Sequence, residues 1–189
     1  MNVHKTLAGL VAAALVAGTG AGVWAHPAVH HAAHHKVKVT HKVVKPATSK
    51  WLKVNAKKKT VIFIVQAGLG ATNSGMNFDG FANGKMTVTV PLGWTVDVQF
   101  KNVGGLPHSM VVEPVKENMN SQNPTPAFKG AQTQSPVAGT APGSSSNFHF
   151  VANKAGKYRI ICAYPGHAAL GMWDNFAVQK GLKAPSVKL

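Results

Sequence analysis

The chain is 189 residues long, which gives room for one ordinary domain with a sizeable core and leaves the remainder to targeting and linker segments. Its formal charge is +15, yet residues 26–59 hold nine lysines and no acid, whereas 60–180 hold eight basic and five acidic residues. This placement argues against a nucleic-acid-binding domain, which gathers cations and stacking aromatics on one folded face, and the single cysteine, Cys162, excludes an internal disulfide.

The amino end reads as an address. Lys5 supplies a positive start, Thr6 to Val23 is an uncharged run of small apolar residues, and Val23-Trp24-Ala25 offers a cleavage site after Ala25. Residues 1–25 are therefore expected to be a signal peptide or, if retained, a membrane anchor, and either places the rest outside the cytoplasm. Residues 26–59 are rich in His, Lys, Ala and Val, with too little contiguous apolar surface to offset ordering, and read as a flexible cationic tether. His26, His30, His31, His34, His35 and His41 lie in it, but nothing in the sequence fixes their rings in a metal-binding geometry.

From Thr60 the texture changes to short alternating segments between Gly, Pro and Asn, the spacing of an all-β sandwich or barrel. Predicted strands are Thr60 to Gln66, Lys85 to Val90, Thr95 to Asn102, His108 to Val112, Asn147 to Val151, Lys157 to Cys162 and Asn175 to Gln179. The stretch from Glu113 to Ser146, rich in Pro, Ser, Gln, Asn and Gly, is too long for a hairpin and reads as an excursion. The folded part is set at 60–180, with 181–189 as a tail.

The chemistry concentrates in Cys162-Ala-Tyr-Pro-Gly-His167-Ala-Ala-Leu-Gly-Met172, where a thiolate, an imidazole and a thioether follow one another five residues apart. One copper ion cycling between Cu(I) and Cu(II) suits two His and one Cys with a weak axial Met: the sulfurs stabilise the reduced ion, and imidazole serves both states. Strand phase selects the fourth donor. Cys162 shares its face with Ile160 and Tyr158, and His108 shares its face with Met110 and Val112, so both point inward, whereas Lys157 and Arg159 point to water. His149, flanked by Phe148 and Phe150, points outward and reads as a solvated strand histidine, and Trp94 reads as a packing residue. Singly, each donor is an ordinary core residue; the copper reading rests on their joint order and phase.

The spacing of Cys162, His167 and Met172, with Leu106-Pro107-His108 upstream, resembles the cupredoxins, or blue copper proteins. Met76-Asn-Phe-Asp-Gly80, Asn83-Gly84-Lys85, Val90-Pro-Leu-Gly-Trp94 and Gly171-Met172-Trp173 resemble the sulfocyanin subgroup, the likeness running from about Gly75 to Val178. The resemblance implies a Greek-key β-sandwich of about seven to eight strands, with His108 and His167 as imidazole ligands, Cys162 as thiolate and Met172 as axial thioether. Many cupredoxins have Asn after the first ligand histidine; Ser109 in its place resembles rusticyanin-type proteins. The implied function is electron carriage, not catalysis, by a monomer at the periplasm or outer surface, between redox proteins such as cytochromes or a terminal oxidase. The leader or tether supplies any membrane contact. A periplasmic copper carrier or buffer is the competing function. A Cys162–His167 thiol enzyme lacks an orienting carboxylate and leaves Met172 unexplained. The scarcity of acids, five in all, fits an acidic setting.

Overall fold

A computed structural model describes residues 49–119 and 123–189. The leader and nearly all of the tether, including its six histidines, lie outside the described residues. The rest forms nine strands: β1 Leu52–Asn55, β2 Thr60–Ala67, β3 Thr87–Pro91, β4 Thr95–Asn102, β5 Val111–Pro114, β6 Phe148–Val151, β7 Gly156–Ile161, β8 Trp173–Gln179 and β9 Ser186–Lys188. They build two sheets, ordered β1-β2-β4-β6 and β5-β7-β8-β3-β9. β2 pairs with β4, and β3 with β8, in parallel; the other pairs are antiparallel. Consecutive strands thus cross repeatedly between the sheets, and the all-β sandwich expected from the sequence is the fold found.

Period-two alternation fixes which face each strand buries. Val61, Phe63, Val65 and Ala67 of β2 and Val96, Val98 and Phe100 of β4 meet Val88, Val90, Tyr158, Ile160, Phe176 and Val178 of the other sheet. Aromatic rings fill the middle: Phe150 stacks on Phe128 at 5.2 Å and meets Phe176 edge-on at 5.9 Å. Trp94 is buried in this cluster, as expected of a packing residue.

The folded part extends beyond 60–180 at both ends. Leu52 is 1% exposed and pairs with Phe63, so the end of the expected tether is an edge strand turned back through the Ala56–Lys59 hairpin. Lys53 sits on its outer side between buried Leu52 and half-buried Val54, a period-two pattern hidden by the surrounding lysines. Ser186–Lys188, expected as tail, covers the edge of β3.

The excursion is structural. Phe128 and Ala131 enter the core, Ala127 N–H donates to Val112 O at 2.7 Å, and Thr133 N–H donates to Met110 O at 2.9 Å. His108 and Thr140 exchange backbone bonds of 3.1 and 2.6 Å. The segment His108 to Met110 is therefore not a sheet strand, because the backbone bonds of His108 and Met110 go to the irregular excursion and that of Ser109 goes to Cys162 Sγ; pairing with β7 starts at Val111. Arg159 faces outward from β7 but does not reach open water, since its guanidinium lies 3.2 Å from the fully buried carboxylate of Glu113 on β5.

Candidate metal centre

Two loops, β7–β8 and β4–β5, supply the donors of the centre. β7 ends at Ile161 and delivers Cys162; the chain then turns through Pro165-Gly166, where Gly166 has φ +82, a conformation that favours glycine. This turn brings His167 back: its N–H donates to Tyr164 O at 3.1 Å, and its ring lies 4.8 Å from that of Tyr164. Met172 N–H donates to His167 O at 2.9 Å and Cys162 N–H to Met172 O at 3.1 Å. The three sulfur and nitrogen residues of the motif are thereby tied to one another through the backbone.

His108 arrives from the loop after β4. Its ring is walled by backbone, since a Cβ on either Gly68 or Gly104 would stand 3.0 Å from its Nε2. Asn102, buried at the end of β4, organises this loop by donating to Leu106 O at 2.7 Å and Thr140 O at 2.8 Å and accepting from Gly104 N–H at 2.9 Å. The sequence reading did not single out Asn102, although the inward phase of Val96, Val98 and Phe100 already placed it on the buried face.

The loops converge with the donors in register. One donor atom each from His108, Cys162 and His167 lies within 4.8 Å of the others, and the two imidazole centroids are 5.0 Å apart. Nδ1 of His167 is 3.5 Å from Cys162 Sγ, and Nδ1 of His108 is buried with no hydrogen-bond partner. Such an orphan is costly in a protein interior unless something else takes its lone pair. Cys162 and Met172 have no exposed surface, His108 is 2% exposed and His167 5%. His149 is exposed on β6, remote from this set, as its phase requires.

Ser109 couples the two ligand loops. Its backbone N–H donates to Cys162 Sγ at 3.3 Å, while its Oγ accepts from Ala163 N–H at 3.0 Å. Serine in place of asparagine therefore keeps a link between the loops. Burial, helped by the neighbouring His167, pushes the His108 imidazole down to about 4, and burial likewise lowers His167. Both shifts favour the neutral imidazole, the form that can donate a lone pair to a metal. Burial raises the Cys162 thiol, against the pull of the backbone bonds from Ser109 and Tyr164. Two imidazoles, a buried thiol and a nearby buried thioether are together a soft donor set of the kind copper takes.

Comparison with known proteins agrees with the geometry. The family model of the sulfocyanin (SoxE) domain matches residues 47–188. This chain belongs to the sulfocyanin family. The sulfocyanin of Sulfolobus acidocaldarius is 30% identical over 134 residues, 67% of each chain. A dithionite-reduced auracyanin of Roseiflexus castenholzii is 27% identical with a TM-score of 0.45, the match covering 64% of this chain and 97% of that one. A rusticyanin variant is 27% identical with a TM-score of 0.49, covering 68% and 86%. As a sulfocyanin-like cupredoxin the chain has copper as its cofactor and electron transfer as its role. The family match also begins before Thr60 and ends after Lys180, in line with the places of β1 and β9 in the sheets.

Proposed function

We propose that Nδ1 of His108, Sγ of Cys162, Nδ1 of His167 and the thioether of Met172 hold one copper ion, and that the protein passes single electrons between respiratory partners. The observation that supports this most is the buried, partnerless Nδ1 of His108 set beside a thiol and a second neutral imidazole. Copper supplies a one-electron couple; the chain's part is to hold four donors so that both oxidation states accept the same positions. The backbone bonds among Cys162, His167 and Met172, and the Ser109 link, serve that purpose. A carrier, not an enzyme, fits a cysteine with no exposed surface, because no substrate reaches its sulfur.

His167 is the most exposed of the four donors, so electrons leave by its ring edge. The loops around the centre present Leu170 at 58%, Leu106 at 52% and Leu69 at 37% exposure, with Pro165 and Ala169 also outside. Ala168, beside His167, faces inward against Val111, Ile161 and Ala163. Residues 162–173 contain no charged side chain, a surface suited to brief docking with a cytochrome or terminal oxidase. Replacing Leu170 by lysine is expected to slow transfer to such a partner by about tenfold, the effect of losing roughly 1.4 kcal/mol of docking energy, with unchanged visible absorption. An unaltered stopped-flow rate would remove this face from the scheme.

The setting is an acidic periplasm or outer surface, reached through the leader, with the folded part acting as a monomer and any membrane contact made by the leader or tether. The whole reading is tested by adding cupric ion to the purified chain. One equivalent should bind with intense thiolate-to-metal absorption and should stay bound through reduction and reoxidation by a one-electron mediator. Release on reduction would favour a copper carrier, and a colourless protein would sink the assignment.

A further inference from the structure

The motif Met76–Gly80 with Asn83-Gly84-Lys85 marks the family but supplies no donor, and the structure shows what it touches. Asn73 Nδ2 donates to Leu170 O at 2.9 Å and to Met76 O at 2.7 Å. Asn83 N–H donates to Gly171 O at 2.9 Å, and Gly84 N–H donates to Trp173 O at 2.9 Å. Met86 N–H donates to Asp174 Oδ1 at 2.9 Å, and Asn175 closes the series with Nδ2 to Gly84 O at 2.7 Å and N–H to Met86 O at 2.9 Å. Packing repeats the pattern. A Cβ on Gly171 would come within 2.8 Å of Asn83 Cγ, and one on Gly84 within 2.6 Å of the Trp173 ring. Both glycines have positive φ, +96 and +71, as do Asn73 at +50 and Asn83 at +57.

Every residue from Leu170 to Asn175 except Met172 itself is thus bonded to the segment 73–86. Met172 is held from the other side, by its backbone bonds to His167 and Cys162.

We infer that the segment 73–86 is a clamp that sets the position of the Met172 thioether, with Asn73 and Asn83 as its positioning residues. The inference rests on Met172 being the axial ligand. A weak axial donor is the one whose distance the metal itself does least to fix, so the scaffold decides it, and that distance tunes both potential and absorption. Neither asparagine is buried, so altering their side chains opens no cavity in the core.

Two variants test this in the full chain. Asn83→Gly keeps the left-handed backbone while removing the side chain on Gly171; Asn73→Asp is nearly isosteric and removes the donor to Leu170 O. In the metal-free protein, amide exchange at Gly171 to Trp173 should quicken by about tenfold in the double variant, as local opening becomes easier. With copper bound, the intensity ratio of the thiolate-to-copper bands should change. The equilibrium with a fixed one-electron reference couple should also move by about tenfold, the lower end of what contacts around a metal ligand are worth. Faster exchange or a lower melting temperature with parental bands and equilibrium would reduce the segment to a structural loop, and parental behaviour in every readout would overturn the clamp. A parent protein without thiolate-to-copper bands would overturn the ligand assignment, and the inference with it.

Discussion

Replacing Cys162 by serine is expected to abolish the intense visible absorption of the copper-loaded protein and to weaken copper binding by more than about a hundredfold, beyond the ten- to hundredfold of an outer contact. The reason is the donor. A hydroxyl stays protonated at the pH at which a metal-bound thiol ionises, and it offers the reduced ion no soft partner. The site should otherwise persist, since a serine Oγ can still accept from Ser109 N–H, and no neighbouring side chain must move. Far-ultraviolet circular dichroism should therefore match the parent while a competitive copper titration does not. Retention of stoichiometric binding and colour by Cys162→Ser would mean that the electron-carrying centre lies elsewhere in the chain.

The second expectation concerns acid. Of the five carboxylates in the chain, Asp79, Glu113 and Asp174 are buried. Asp79 is the clearest case: Oδ1 accepts from Gln66 N–H at 2.9 Å, while Oδ2 has no partner. Burial pushes its carboxyl up from 3.8 to about 7, although the Gln66 bond and the Lys50 ammonium pull it down, and Asp174 is the acid that faces it. Glu113 is raised in the same direction, burial outweighing Arg159. Between about pH 7 and pH 4 the folded chain therefore holds protons that the unfolded chain has released, and stability rises as pH falls. The gain is complete below the unfolded pKa and is lost as pH climbs through about 7. Its size is on the order of a few kcal/mol for Asp79.

The imidazoles of His108 and His167 act oppositely in the metal-free protein, because their lowered values cost stability as pH falls towards 4. Copper-loaded protein is the proper sample, since a metal-bound imidazole does not take up the proton. Asp79→Asn should melt several degrees above the parent at pH 7 and converge with it near pH 4. A loaded parent whose melting temperature falls steadily from pH 7 to 4 would contradict this account. An acidic exterior thus suits the fold through the few acids it keeps as well as through those it lacks.

Much of this was legible in the sequence, because the informative signals were local. Period-two alternation placed β4 at Thr95–Asn102, an apolar run placed β2 to within a residue, and strand phase set Cys162 inward and His149 outward. What escaped depended on distant partners. β1 and β9 are short segments among lysines whose place in the sheets follows from pairing with β2 and β3, and no window of a few residues contains that pairing. The excursion looked aperiodic because it is; its buried Phe128 and its bonds to residues 108–112 arise only in the assembled fold.

The walls and donors of the centre come from different halves of the sandwich. Gly68 and Gly104, which enclose the His108 ring, follow strands of one sheet, whereas Cys162 and Met172 flank strands of the other. A molecule with only one sheet formed has no complete coordination sphere, so the appearance of colour during refolding should keep time with the last step of assembly and not with the first.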